Sequence, residues 1–543
     1  MTIKKFFIYS EKNDDASSDI TQPQTHSVNN PGINNYIKNN IKDKSSFVYK
    51  SGKVSQRLNE NLAFIKDACE TSKNFDLVIR PFKIKTQNNP IDAFLVFYDG
   101  LSNKEFINRD ILNPLMTTGF QEQSGSLEDA IYQTVLSQAP NSKNADMREI
   151  IEAVGFGNCA VFVDGCSCAF VADIKGWLSR GVGRPVSEAV LMGPQESFCE
   201  AVMPNIALIR KILKDPNLIA ENITVGTKSK TPCALMYRNG IPNISLVAEA
   251  RRRLASVDTE YIFSSTDIEM LIEESTVFPL PQILKTERPD RAASMLADGK
   301  VIIIVQGTPF VLILPATASD LAETAEDNYV RTTEANFMRF IRTVGCSLAL
   351  LLPGCFLSTV LYHHESIPTD LILAIESSRE QMPFPIILEL IIMLLAFELI
   401  KEASVRVPEP VGSTLGIVGG LILGQSAVSA GIASPLLIII VSIAALGSFT
   451  APSTSISRAL SVLQFVFIFL GAIAGFLGIS LGLFAGLIYL ASTKSFGVPY
   501  LDSFSLSSMV PPIWKRELRP HDLKPQSRHK QPHISRKWKG DTN

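Results

Sequence analysis

VGSTLGIVGGLILGQSAVSAGIASPLLIIIVSIAALGSFTAPSTSISRALSVLQFVFIFLGAIAGFLGISLGLFAGLIYLAST, Val411 to Thr493, decides the fold: across that run one side chain carries a charge, Arg458. A second charge-free run, Thr343 to Tyr362, precedes it. Water-soluble domains spread charge over their surfaces, so runs of this length without it read as membrane sequence. A spanning helix takes ~20 mostly apolar residues, because hydrocarbon offers backbone N–H and C=O groups no partner outside the helix.

Working outward, a first span is expected from about Thr343 to Tyr362, kinked at Pro353-Gly354, and a second from Phe384 to Ile400. Val411 to Phe449 divides into two spans near Ala433-Ser434-Pro435, and Ala459 to Thr493 into two more near Gly475 to Gly478. A re-entrant segment around GGLILGQSAVSAGIASP is the alternative to one pair of crossings. With about six crossings, Arg339, Arg342, Lys401, Arg406, Arg458, Lys494 and the C-terminal basics all fall on the cytoplasmic side. Arg339, Arg342, Lys401 and Arg458 are therefore the expected topology anchors.

Over 543 residues the hydrophobic share is 46% and the net charge −2, but both are unevenly distributed. The expected organisation is a flexible polar leader over residues 1–50, too poor in large apolar side chains to offset the entropy of ordering. Next come a cytosolic region over 51–330 with two subdomains divided near 220, a transmembrane domain over 331–500, and a basic cytoplasmic tail over 501–543. The fold class is thus a mixed α/β (α+β) cytosolic region followed by an all-α multi-pass membrane domain. MTIKKFFIYSEKNDD lacks the apolar core of a signal peptide, which places the front region in the cytosol. The tail basics read as contacts to anionic membrane lipid rather than to nucleic acid. Eight cysteines include one CxC, Cys166 and Cys168, with no second pair at zinc spacing, so all read as small apolar residues with no metal or other cofactor.

Within the front region one device recurs: a β-rich apolar run, a polar residue and a glycine. It stands at AFLVFYDGL (Ala93 to Leu101), AVFVDGCSCAFV (Ala160 to Val171), ALMYRNGIPN (Ala234 to Asn243) and VIIIVQGTPFVLIL (Val301 to Leu314). Asp-Gly and Asn-Gly tolerate the positive φ of tight turns, so each copy reads as a hairpin or strand end. Turn chemistry accounts for Asp99 and Asp164 without a catalytic role. Helices are expected over Ser187 to Leu213, with Pro194 in its first turn, over Leu246 to Val257, and over Thr266 to Ser275 with Thr266 and Glu269 as a capping box.

Inside the apolar region, Glu389 and Glu398 share one span. A carboxylate in hydrocarbon costs ~2.5 kcal/mol or more, so it must meet a partner helix, water, a neighbouring subunit or a proton. Nine residues at ~100° each put the two on opposite faces, and Glu398 is expected to pair with Lys401 or Arg406. Gly416, Gly419, Gly420 and Gly424 with Gln425, Ser426 and Ser429 form a small-residue surface suited to close helix packing or to a water path. Glu389, Glu398, Gln425 and Ser426 are the candidate pore or intramembrane polar residues. No P-loop, HExxH or nucleophile elbow is present, and His363-His364-Glu365 stands isolated, so an enzyme is not expected.

From about Asn61 to Trp514 the chain resembles the A subunit of spore germination receptors, the GerA family of endospore-forming bacteria. RPVSEAVLMGPQESFCEAVMPNIALIRKIL, TERPDRAASMLADGKVIIIVQGTPFVLILP and MPFPIILELIIMLLAFELIKEASVRVPEPVGSTLGIVGGLILGQSAVSAGIASP carry the resemblance. Gln195, Ser197, Arg238, Asn239 and Gln306 depart from the family's usual residues at turns. The resemblance implies a multi-pass protein of the spore inner membrane, partnered by a transporter-like B subunit and a lipoprotein C subunit. It further implies a homo-oligomer that forms a gated, cation-releasing pore. A solute transporter acting alone, or a related sporulation membrane protein, is the alternative.

Overall fold

The computed structural model describes residues 52–86, 89–118, 128, 131–132, 141–176, 183–276, 279–379, 382–406 and 424–501. The polar leader, Gly416 to Gly420 and the basic tail lie outside the described residues.

The front region holds two sheets of one plan. The first follows α1 (Leu58–Ala68) and contains β1 (Leu77–Ile84), β2 (Ile91–Tyr98), β3 (Asn141–Asn144), α2 (Met147–Gly155), β4 (Cys159–Val163) and β5 (Ala169–Ala172). Its strands lie in the order β1-β2-β4-β5-β3, every neighbouring pair antiparallel. The second follows α3 (Val202–Ile212) and contains β6 (Leu218–Val225), β7 (Thr231–Arg238), α4 (Ile244–Ala255), α5 (Ser265–Ile272), β8 (Leu284–Thr286), α6 (Pro289–Ala297), β9 (Val301–Val305) and β10 (Val311–Leu314). Its order, β6-β7-β9-β10-β8, repeats the first strand for strand.

Alternation along each central strand explains the layering. Ala93, Leu95 and Phe97 enter one core while Phe94, Val96 and Tyr98 enter another, so β2 is covered on both faces. In the second unit Ala234 and Met236 face one core, Cys233, Leu235 and Tyr237 the other. The recurring sequence device marks equivalent places in the two units: copies one and three end β2 and β7, and copies two and four join β4 to β5 and β9 to β10. Gly100, Gly165, Gly240 and Gly307 all take φ between 82° and 96°, the left-handed region that the turns demand.

Two expectations are corrected. Residues 187–201 form no helix, which begins at Val202. The Asn205 side chain holds Cys199 through both its backbone groups (2.8 and 2.6 Å), and Gln306 Oε1 accepts from the Val202 N–H at 3.0 Å, capping α3 where it starts. The capping box of α5 is Ser264 with Asp267, since the Ser264 hydroxyl accepts from Asp267 N and the Asp267 carboxylate accepts from Ser264 N. Helix α3 packs in the second core through Val202, Ile206 and Ile209 and against the first through Ala207.

The subdomains meet across a buried ion pair. Arg210 on α3 reaches Asp76, just before β1, with Nε to Oδ2 at 2.6 Å and Nη2 to Oδ1 at 2.9 Å, and it lies over the Tyr98 ring at 4.2 Å. Such a fork satisfies both carboxylate oxygens, and removing either partner would strand a charge in the core.

After α7 (Ala318–Ala322) come α8 (Thr332–Tyr362), α9 (Thr369–Arg379), α10 (Ile386–Arg406), a helical turn over 424–429, α11 (Pro435–Phe449) and α12 (Thr454–Ser492). Helix α8 starts well before Thr343 and runs unbroken through Pro353. Within α12, Gly475 is non-helical (φ 57°, ψ −144°), and the chain folds back there. A Cβ at Gly482 would lie 2.6 Å from Leu470, a residue that a straight helix would keep ~18 Å away. The Tyr362 hydroxyl donates to Ala472 O (2.7 Å) and Ile473 O (3.0 Å), two carbonyls beside the reversal. Close packing of the described helices rests on glycines other than those expected: Gly345 against Gly447, and Gly354 against Gly471, where a Cβ on Gly471 would lie 2.8 Å from Gly354 O. A final short hairpin, β11 (Lys494–Ser495) with β12 (Val498–Pro499), closes the described chain.

Candidate functional site

Chemistry concentrates where the second subdomain meets the helices. Residues 317–328 form a strap between β10 and α8, built from two capping boxes, Thr317 with Asp320 and Thr324 with Asp327. Each box spends its carboxylate twice. Asp320 caps its own turn and pairs with the buried Lys300 of the second subdomain. Asp327 caps its turn and receives Arg339 Nε at 3.1 Å together with Arg342, both from α8. Arg291 on α6 adds a bond to Glu323 O at 2.8 Å, and Arg339 reaches Glu323 at 3.3 Å.

Charges thus alternate from the sheet through the strap into the helix. Burial alone would raise both aspartates, but their partners outweigh it. Lys300 and the Thr317 bonds hold Asp320 below its usual value, and Arg342, the Thr324 N–H and Arg339 do so for Asp327. Both remain carboxylates at neutral pH.

The far end of the helical region returns to the same body. Phe496, on the turn of the β11–β12 hairpin, is buried in the core of the second sheet with the Arg253 guanidinium 4.3 Å from its ring. The Ser495 hydroxyl donates to Gln282 O at 2.7 Å and accepts from Ala316 N at 3.1 Å; Gly497 N donates to Glu274 at 3.1 Å. Ile456 and Leu460 of α12 and Tyr500 join the other core of that sheet. The second subdomain therefore grips the start of α8, the start of α12 and the chain beyond α12. Between them lies a cleft of about 300 Å³.

The intramembrane candidates separate. Glu389 is 0% exposed, on a stretch of α10 whose Ile386, Leu390 and Met393 pack with α8, α11 and α12. Glu398 lies elsewhere, accepting from the Ser461 hydroxyl of α12 at 2.7 Å with Lys401 Nζ 3.7 Å away, so Lys401 is the partner the structure gives it. Gln425 and Ser426 are exposed. Of the four basics read as anchors, Arg339 and Arg342 are tied into the strap, Lys401 contacts Glu398, and Arg458 is exposed on α12. The strap aspartates and the Ser495 to Tyr500 clamp were missed, and the capping pattern Thr-x-x-Asp, twice in eleven residues (Thr317 to Asp327), is the signal that would have found the former.

Among the described residues two helices, Thr332–Tyr362 and Thr454–Ser492, are long and apolar enough to cross a membrane. Along the second of them Phe469, Leu477, Phe484 and Leu487 are exposed, as lipid-facing side chains would be. Among the described residues no three His, Cys, Asp or Glu side chains gather as a metal site would need.

The profile of a family described as Bacillus/Clostridium GerA spore germination protein matches residues 63–521. The chain belongs to the GerA family. Spore germination protein KA of Bacillus subtilis is 34% identical over 88% of this chain and 89% of its own length. Spore germination protein GerLA of Bacillus cereus is 36% identical over 75% of this chain and 82% of its own. Among solved structures, the N-terminal domain of the A subunit of the Bacillus megaterium spore germinant receptor GerK3 is 30% identical, covering 49% of this chain and 96% of that one at a TM-score of 0.38.

In this GerA-family chain, two of the sequence blocks that resemble the family lie against each other. Glu287, from TERPDR, accepts from the backbone of Glu188 at 2.9 Å and from the Ser187 hydroxyl at 2.8 Å. Arg288, fully buried, donates to Glu188 O (3.2 Å) and Pro194 O (2.9 Å), and Arg291 binds Glu188 at 2.5 Å. These bonds hold 187–198 in an irregular, bent path, which is the physical reason that a helix-compatible pattern gives none there.

Proposed function

We propose that this chain is the A-type membrane subunit of a nutrient germinant receptor. Its helices oligomerise around a gated path for monovalent cations, and the second subdomain drives the gate. A transporter-like B subunit senses the nutrient and a lipoprotein C subunit completes the receptor in the spore inner membrane, with the front region and tail cytoplasmic. Family membership supports the receptor role. The observation that carries the mechanism is the double grip: one sheet domain holds both α8 and the segment after α12, so a shift of that domain moves both together.

Glu389 is packed inside the chain's own bundle, whereas Gln425 and Ser426 face outward, so the latter pair lines the path in this reading and Glu389 fixes helix packing. Cysteines placed at Gln425 and Ser426 test it in whole spores. A membrane-impermeant thiol reagent applied during nutrient exposure should cut cation release at least about fivefold, by narrowing a polar constriction. Unchanged release with modified cysteines would overturn the assignment. Saturable nutrient uptake by the reconstituted chain alone would replace the receptor reading with a transporter.

A further inference from the structure

The cleft of about 300 Å³ between the second subdomain and the helices has no role in the function proposed above. It is about twice the volume of the ~150 Å³ apolar cavity known to admit benzene, enough for roughly ten to twelve carbons. Its wall is made by Leu321 of α7, Cys346 and Leu350 of α8, and Ile456, Leu460 and Leu490 of α12.

The polar groups at its edge are already engaged. Arg342 donates to Ala322 O at 3.0 Å and pairs with Asp327; Thr343 donates to Arg339 O at 2.8 Å, Ser347 to Thr343 O at 2.8 Å, and Tyr500 to Pro281 O at 3.2 Å. A hydrophilic nutrient entering here would give up its water for the few acceptor lone pairs these hydroxyls have left and a guanidinium already drawn to Ala322 and Asp327. An alkyl chain gives up none.

Position names the source of the chain. The cleft is lined by the first apolar turns of α8 and the last of α12, and Val344, Leu348, Leu487 and Ile488 on those same turns are exposed. We infer that the cleft takes one acyl chain of a membrane phospholipid, wedged between the second subdomain and the helices it grips. The inference rests on the membrane reading above, and through it bilayer composition enters the coupling. An acyl chain seated there packs against α7, α8 and α12 at once.

The test uses the full chain in nanodiscs of phosphatidylglycerol and phosphatidylethanolamine carrying a trace of phospholipid with a diazirine midway along one acyl chain. After illumination, adducts are mapped by mass spectrometry of tryptic and chymotryptic peptides. Adducts are expected on Thr343 to Leu350 and on Ile456 to Leu460, falling at least about fivefold in Leu350→Trp, which fills the space. Ala322→Phe fills it from the soluble side and should give the same fall if Leu350→Trp folds poorly. Peptides bearing Leu477 and Phe484 serve as the internal reference and should label equally in all three proteins. Labelled reference peptides with a bare cleft, or cleft adducts indifferent to both variants, would overturn the inference while leaving the membrane reading in place. Bare reference peptides would overturn both.

Discussion

Two subdomains of the same strand order sit side by side in the front region, and only the second takes side chains of the helical region into its cores. Among the described residues the first closes its two cores without the helical region, Phe94 stacked on Phe162 at 4.9 Å in one of them and Ala207 of α3 packed against it. The second is completed from elsewhere: Phe496 and Tyr500 enter from beyond α12, Ile456 and Leu460 from α12 itself. One plan thus serves two purposes, a self-sufficient unit joined through Arg210 and Asp76, and a unit whose stability is shared with the helices.

Breaking the strap should have the largest effect. Asp327→Ala leaves Arg339, buried at 4% exposure, without its main carboxylate, a loss of about 3 to 5 kcal/mol by the usual cost of orphaning a buried charge. Hydrogen exchange across 317–342 should rise sharply and nutrient-triggered release should fail. Protection unchanged there would remove the strap from the coupling.

Next comes a matched pair of core truncations. Phe496→Ala and Phe162→Ala each delete a buried aromatic at about 3 kcal/mol or more. The first should free the chain beyond α12 to protease at Lys494 while the first subdomain stays protected; the second should loosen the first subdomain and leave Lys494 guarded. Identical digestion patterns would mean that the two units melt as one.

A smaller effect is expected from Ser461→Ala, which removes a half-buried bond to Glu398 worth about 1 kcal/mol and should lower the melting temperature slightly without altering the strap. The smallest concerns pH. Asp320 and Asp327 titrate below their ordinary 3.8, so their contribution is complete above that value and is lost only as pH falls through the lower folded values. Exchange protection of 317–328 should be flat between about pH 7 and pH 5 and decline below about pH 4; loss near pH 6 would mean that another group controls the strap.

Much of the architecture was legible before any coordinates. Apolar runs placed the helices because absence of charge is a local property, and the four polar-Gly turns marked matching points of the two sheets because positive φ restricts composition at one residue. The helix expected over Ser187 to Leu213 fails in its first half, since periodicity is blind to side chains such as Glu287 and Arg288 that arrive from 100 and 94 residues away to claim the backbone. The site was legible only on one side. Arg339 and Arg342 stand out beside an apolar run, but Ser495 meets Gln282 across 213 residues, and no local pattern announces such a meeting.

The reversal at Gly475 carries one more consequence. Because the backbone doubles back there, the last helical stretch delivers its end to the domain from which α8 set out. A body tethered by one foot can swivel and dissipate a push; one planted on two feet resists turning and passes torque onward. A rotation of the second subdomain would therefore arrive among the helices as a twist, rather than as a tug on a single rope.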